Sequence, residues 1–166
     1  MTDAAYEPAL ERGEATALAS KISHQVSLLD LRVGHISADL IRKPQTGPLT
    51  IDPTSDITWD ELDGALLFHV NFRLEVTEPG DADDAEPVPL FNAEARLDVD
   101  YAFEGEAPED GQAFAAFAQL SVMHTAYPYL RELVHTLTVR AGLPPLVLPS
   151  FLSPALRPAG SDPEAG

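Results

Sequence analysis

Any acid–base or metal chemistry in this sequence would have to sit on five histidines and a surplus of carboxylates. His24, His35, His69, His124 and His135 contain no pair four residues apart, the spacing that places two imidazoles on one helical face around zinc. His124 and His135 share a helical face, but eleven residues separate them by ~16 Å along the axis, too far for one metal. They read as surface or partly packed histidines, as does His69. Among the carboxylates, Asp98 shares a strand face with Asp100 and with Glu94. A general acid and base need a cleft that separates their pKa values, and an exposed polar sheet face is the simpler reading. Asp81, Asp83, Asp84 and Glu86 could meet calcium, but the twelve-residue loop ending in Glu is missing, which leaves a solvated acidic loop. With no cysteine, the chain has no disulfide, thiolate metal site or cysteine nucleophile. Phosphate-cradling G-x-x-x-x-G-K-[ST], dinucleotide G-x-G-x-x-G and nucleophile-elbow G-x-S-x-G patterns are all missing. The expectation is no enzyme, no cofactor and no metal.

Charge narrows the partners. Across 166 residues, 27 acids face 10 bases, a formal charge of −17. Phosphate neutralisation needs a basic patch, so nucleic acid is not an expected partner. Such a surface stays soluble and attracts basic partners. The start, "MTDAAYEPALERGEA", has neither a basic n-region nor an apolar h-region, and no apolar run nears the ~18 residues of a membrane span. A cytoplasmic protein without direct membrane insertion is expected.

The elements follow from periodicity. Residues 7–20 are rich in Ala, Glu and Leu and fit either a short helix weakened by Gly13 or a frayed terminus. Residues 22–42 predict a long strand with a break: Leu29, Leu31 and Val33 share one parity and Ile36, Ala38 and Leu40 the other, so a bulge falls at Gly34. "KPQTGP" (43–48) is a turn. Within 49–64, a short strand is expected near 49–51 or 56–59, with Pro53 marking it as an edge or interrupted strand. Phe68, Val70, Phe72, Leu74 and Val76 alternate with polar residues over 65–76, as do Phe91, Ala93, Ala95, Leu97, Val99, Tyr101 and Phe103 over 91–103. These two strands should pair antiparallel across the acidic Pro/Gly loop 77–89. Residues 112–142 read as helical, with Leu130, Leu133, Val134 and Leu137 on one face and Gly142 as the stop. Pro128 inside that stretch either starts a helix or bends one. The end is proline-rich, and from about 157 it has the composition of a disordered tail.

Size then matters. A strand over 91–103 spans ~43 Å, whereas a helix over 128–141 spans only ~21 Å. One helical layer on a long, four-stranded sheet leaves apolar surface uncovered, and soluble proteins bury such surface by self-association or use it for binding. "LPPLVLPSFL" (143–152) and the surroundings of Trp59 either line a groove for an extended peptide or close the core.

The stretch "AYPYLRELVHTLTVRAGLPPLVL" (126–148) resembles the signature region of the SecB family of bacterial export chaperones. The carrying residues are Tyr127, Pro128, Tyr129, Arg131 and Glu132, then Arg140 and Gly142, then Leu143-Pro144-Pro145-Leu146-Val147-Leu148. The likeness covers 126–148 in sequence and 25–150 in outline. It implies an α+β fold, a four-stranded antiparallel sheet with a long helix packed on one face, assembled as a homotetramer built as a dimer of dimers. Residues 1–21 would be an N-terminal extension with helical character, 22–152 the SecB-like domain, and 153–166 a flexible tail. The implied function is ATP-independent holding of unfolded or nascent polypeptides for protein export. The alternative is a dedicated chaperone of an antitoxin in a toxin–antitoxin system. The client contacts expected on that basis are Trp59, Leu143, Leu146, Leu148, Phe151 and Leu152. Asp30 corresponds to an acid through which the family meets the SecA motor, while Gly34 occupies the place of a second. That departure, and a proline- and glycine-rich end where the family has a second helix, resemble the divergent antitoxin-linked type.

Overall fold

The computed structural model describes residues 12–43, 48–80, 86–105 and 111–148. Helix α1 (Arg12–Ser23) leads into four strands, β1 (Val26–Leu40), β2 (Thr50–Leu62), β3 (Ala65–Glu78) and β4 (Val88–Phe103). A continuous helical run follows: α2 (Gly111–Phe117), a π-helical turn (Ala118–Val122) and α3 (Met123–Arg140). Of the helix expected over 7–20, residues 7–11 lie outside the described residues, and the described part runs on to Ser23, with Ala15, Ala19 and Ile22 spaced to bury one face. The acidic run 81–85 and the tail expected from 157 lie outside the described residues.

All four strands form one antiparallel sheet in the order β1-β4-β3-β2. The alternation in 65–76 and 91–103 reflects central strands covered on one side only. Phe68, Val70, Phe72, Leu74, Leu97 and Val99 turn to the helices and are buried. β2 runs without interruption from Thr50 to Leu62, longer than the short strand expected, and pairs with β3 residue for residue. Pro53 breaks nothing because β2 is an edge strand.

Two bulges shape β1. The expected one falls at Gly34, where the register with β4 shifts between Val33 and His35. A second falls at Leu29, which is skipped between Leu28↔Tyr101 and Asp30↔Asp100. Leu28, not Leu29, therefore shares a face with Leu31 and Val33, correcting the parity read from sequence. The adjacent leucines hide which of them is the extra residue.

Aromatic side chains fasten the helices to the sheet. Phe68 sits between Trp59, Tyr101 and Phe117, with ring centroids 6.4, 5.9 and 5.6 Å away, and Trp59 stacks on Phe114 at 6.0 Å. Burial raises the Tyr101 phenol above its ordinary 10.0, partly offset by a hydrogen bond with Thr125. A phenol harder to ionise when folded gives stability that is complete below the unfolded value and is lost as pH climbs through the folded one. Tyr101→Phe should flatten the fall of the urea midpoint above about pH 10. Tyr127, also raised mainly by burial, leaves a smaller residual slope.

Pro128 lies within α3, so the proline neither starts the helix nor ends it. The π-turn precedes it by little more than a turn, and the Met123 N–H reaches back to the Ala118 carbonyl. A widened turn followed by a proline is a combination that bends helices. The helix stops by glycine chemistry. Gly142 adopts φ +74°, its N–H bonds the Val139 carbonyl, and the Leu143 N–H bonds the Thr138 carbonyl. Buried Thr138 also takes the Leu146 N–H on Oγ1 at 3.2 Å while donating to the Val134 carbonyl at 2.9 Å. That oxygen ties the 143–148 segment to α3. Thr138→Val should cost about 1–2 kcal/mol in chemical denaturation and speed amide exchange at Leu146.

Candidate functional site

The apolar surface anticipated from element sizes is present, and it concentrates on β1. The helical layer lies over β3 and β4, and β1, at the sheet edge, packs chiefly against β4. Cross-strand register places Leu28, Leu31, Val33, Ile36, Ala38 and Leu40 on the helix side, opposite Tyr101, Val99, Leu97, Ala95, Ala93 and Phe91. The two bulges keep them on one face. Leu28, Val33, Ile36 and Leu40 are 51, 50, 42 and 40% exposed. Covering those four half-exposed side chains would stabilise a complex by roughly 3–6 kcal/mol.

The expected client contacts are not gathered into one patch. Trp59 is half-buried on β2, with Ile57 half-buried and Ile51 exposed on the same face. Leu143 and Leu148 are buried in the core of the chain itself. Leu146 is half-buried, and its neighbours Pro144, Pro145 and Val147 are exposed. Phe151 and Leu152 lie outside the described residues. Of the motif residues, Pro128, Tyr129 and Glu132 are exposed and Tyr127 is half-buried. Arg131 is partly buried, and its Nε has no hydrogen-bond partner. The β1 stripe was not singled out as a site by sequence. Apolar residues on both sides of Gly34 were a visible signal, but only the strand order shows that no helix covers them.

The opposite sheet face is polar and knit together. Asp98, on central β4, is 6% exposed because side chains from three strands close over it. His69 Nδ1 lies 2.7 Å from Asp98 Oδ1, and its Nε2 lies 3.2 Å from Asp60 Oδ2. Arg96 Nε donates toward Asp98 at 3.1 Å, and Arg32 reaches Asp98 at 3.9 Å while pairing with Asp100. The exposure expected at Asp98 is thus corrected, while His69 is the partly packed histidine of a polar strand face that was expected. A central strand has neighbours on both sides, and their long side chains fold over its short carboxylate. Gly34 makes room for this, since a Cβ there would lie 2.5 Å from Asp98 Oδ2 and 2.8 Å from Arg96 Nε. Asp30 is exposed, accepting the Leu31 N–H at 2.9 Å and facing Arg32 at 3.4 Å. The Asp100 pair and burial act in opposite senses on Arg32, and the Asp100 hydrogen bond prevails, raising its pKa. Among the described residues, no group of three or more His, Asp and Glu could hold a metal, and no helix is long and apolar enough to cross a membrane.

Neither a protein-family profile nor a curated protein sequence matches the chain. A solved structure does. It is a SecB-like chaperone from Mycobacterium tuberculosis in complex with a ChAD peptide from an antitoxin. The superposition has a TM-score of 0.70 at 22% identity, covering 84% of this chain and 99% of that one. The fold is SecB-like. The four-stranded antiparallel sheet with a long helix packed on it is the architecture that the resemblance implied. A protein of unknown function from Streptococcus agalactiae also aligns over 75% of this chain, but a TM-score of 0.37 is too low to inform the SecB-like assignment.

Proposed function

We propose that this chain is a holdase chaperone that keeps polypeptide unfolded without ATP, and that it serves one antitoxin rather than export in general. One observation carries the reading: the SecB-like structure that aligns over nearly all its length holds an antitoxin peptide. The exposed apolar stripe supports it, since apolar segments of a client lose water on docking against such residues. So does the state of the acids through which the family meets SecA. Asp30 already faces Arg32, and Arg96 and Asp98 approach the place of the second acid at Gly34. A neutralised patch is a poor lure for a motor protein. The assembly is a homotetramer, a dimer of dimers, that covers part of the β1 stripe and leaves several client surfaces on one particle. Trp59 and Leu146 are the client contacts with accessible surface, and buried Leu143 and Leu148 hold the segment beneath them.

The test is a calorimetric titration with the antitoxin peptide held by the mycobacterial neighbour, alongside a reduced, unfolded protein of unrelated sequence. Saturable peptide binding at least 100-fold tighter than binding of the unrelated protein is expected. Equal binding of both returns the export reading, and binding of neither removes the chaperone function.

A further inference from the structure

A hairpin turn joins β2 to β3. Leu62 pairs with Ala65, so the turn consists of Asp63 and Gly64. A loop that short fixes the register of the strands it joins. The hairpin is also tied to β4, because the Gly64 carbonyl accepts the Phe103 N–H at 2.9 Å. Asp63 and Gly64 are both exposed, and the Asp63 carboxyl has no hydrogen-bond or ion-pair partner among the described residues. Gly64 has φ +73°, a conformation that favours glycine, and nothing lies within 4 Å of the place a Cβ would take. No side chain therefore screens its nitrogen from the carboxyl next to it. Every other described aspartate is followed by a residue that carries a side chain, as Leu31 follows Asp30 and Val99 follows Asp98. Asp56, Asp60 and Asp98 are in addition held by side-chain partners.

We propose that Asp63–Gly64 is a self-modification site, where aspartate turns into isoaspartate and lengthens the turn that sets the β2 register. The Gly64 nitrogen attacks Cγ of Asp63. A nitrogen–Cγ bond forms, the Cγ–hydroxyl bond breaks, and the amide proton leaves with that hydroxyl as water. The product is a five-membered cyclic imide. Water then adds at one of its two carbonyl carbons and breaks the bond from that carbon to nitrogen. Addition at Cγ restores aspartate. Addition at the Asp63 backbone carbonyl leaves the main chain running through Cβ and Cγ, which is isoaspartate. One water is lost and one regained, so the mass is unchanged and no other reactant is needed. The main chain gains one CH2 inside a two-residue loop. Such a loop no longer matches the twist of the strands it joins, and the end of β2 beside it loosens. Trp59, the single tryptophan of the chain, lies near that end and stacks on Phe114, so its emission reports the change. The inference does not depend on what the chain binds.

The full chain is aged for weeks at neutral pH, folded or in urea, and then mapped peptide by peptide. A second Asp-Gly pair, 110–111, has its aspartate outside the described residues, and the map separates the two. Expected is a peptide containing residue 63 that keeps its mass, shifts in retention and accepts a methyl group from a protein isoaspartyl methyltransferase. Its yield should exceed that at any other described aspartate at least tenfold, and should lie within tenfold of the yield in urea. Asp63→Glu, which would need a six-membered ring, should abolish the modified peptide. Asp63→Asn, which loses ammonia instead of water, should speed its formation at least tenfold. Both changes fall in an exposed turn and should leave Trp59 emission of the fresh chain unaltered. In the aged protein, amide exchange at Asp60–Leu62 should quicken and Trp59 emission should shift, and neither should change in aged Asp63→Glu. Isoaspartate at 63 in urea but not in the folded chain overturns the inference, because the hairpin then holds the nitrogen away from the carboxyl. Isoaspartate with unchanged exchange and emission overturns its effect on β2.

Discussion

A V33D/I36D double variant is expected to leave the assembled state and run as a single chain of 17.9 kDa. Both side chains are about half exposed on the helix side of β1, so aspartates there reach water in an isolated chain. Folding of the protomer tolerates them. In an assembly that covers the stripe they become buried carboxylates with no cation opposite, which costs several kcal/mol each. That exceeds the roughly 3–6 kcal/mol that covering the four exposed residues contributes. Light scattering should show the mass fall to one chain while far-UV dichroism stays native. Apparent stability should drop and become independent of protein concentration, because association no longer favours the folded form. An unchanged mass would place the subunit contact elsewhere.

Phe68→Ala carries the largest expected loss of stability, about 3–5 kcal/mol. Phe68 is fully buried, and its ring meets Trp59 of β2, Tyr101 of β4 and Phe117 of α2. Removing it opens a cavity where two neighbouring strands and the helical layer meet, and it deletes three aromatic contacts each worth ~0.5–1.5 kcal/mol beyond area burial. The rings around it are anchored on different elements and cannot all move inward. For a chain of this length the loss lowers Tm by roughly 6–20 °C. A Leu at the same position should recover much of it by filling the volume. A drop under about 1 kcal/mol for Phe68→Ala would mean that the helical layer is not held to the sheet through this cluster.

The legible parts of the fold were those where one face is buried and the other wet. β3 and β4 announced themselves because each alternate residue from Leu66 to Val76 and from Phe91 to Tyr101 is shielded by the helices. β2 did not, because an edge strand lying largely outside the helical layer has little burial pattern to write into sequence. Of its helix-side residues, Ile57 and Trp59 are only half-buried and Ile51 is exposed. The bulge at Gly34 was readable from the parity switch. The one at Leu29 was not, since either leucine of the pair satisfies the pattern. The π-turn left no signal, as it adds one residue to a stretch apolar on most sides.

The candidate site was legible as a quantity but not as a place. Comparing strand length with helix length required uncovered apolar surface, and the structure supplies it on β1. Where it lies depends on strand order: β4, last in sequence, inserts between β1 and β3 and carries the helices with it. Leu143 and Leu148 show the converse. Their proline-spaced pattern fits a groove lining or a core closure equally well, and in the structure the Leu143 and Leu146 N–H groups bond Thr138 and hold the segment against α3. Asp98 misled for a third reason. Nothing in β4 alone reveals that a glycine on β1 clears the space into which Arg96 and Asp98 settle.

One measurement bears most directly on the central claim of a chaperone with spare apolar surface. It is the light-scattering mass of the protein with and without an equimolar unfolded, reduced client held at low temperature. Four chains of 17.9 kDa, about 72 kDa, gaining the mass of the client is the predicted result. A single chain that ignores the client would contradict both the holdase function and the assignment of the β1 stripe to an interface.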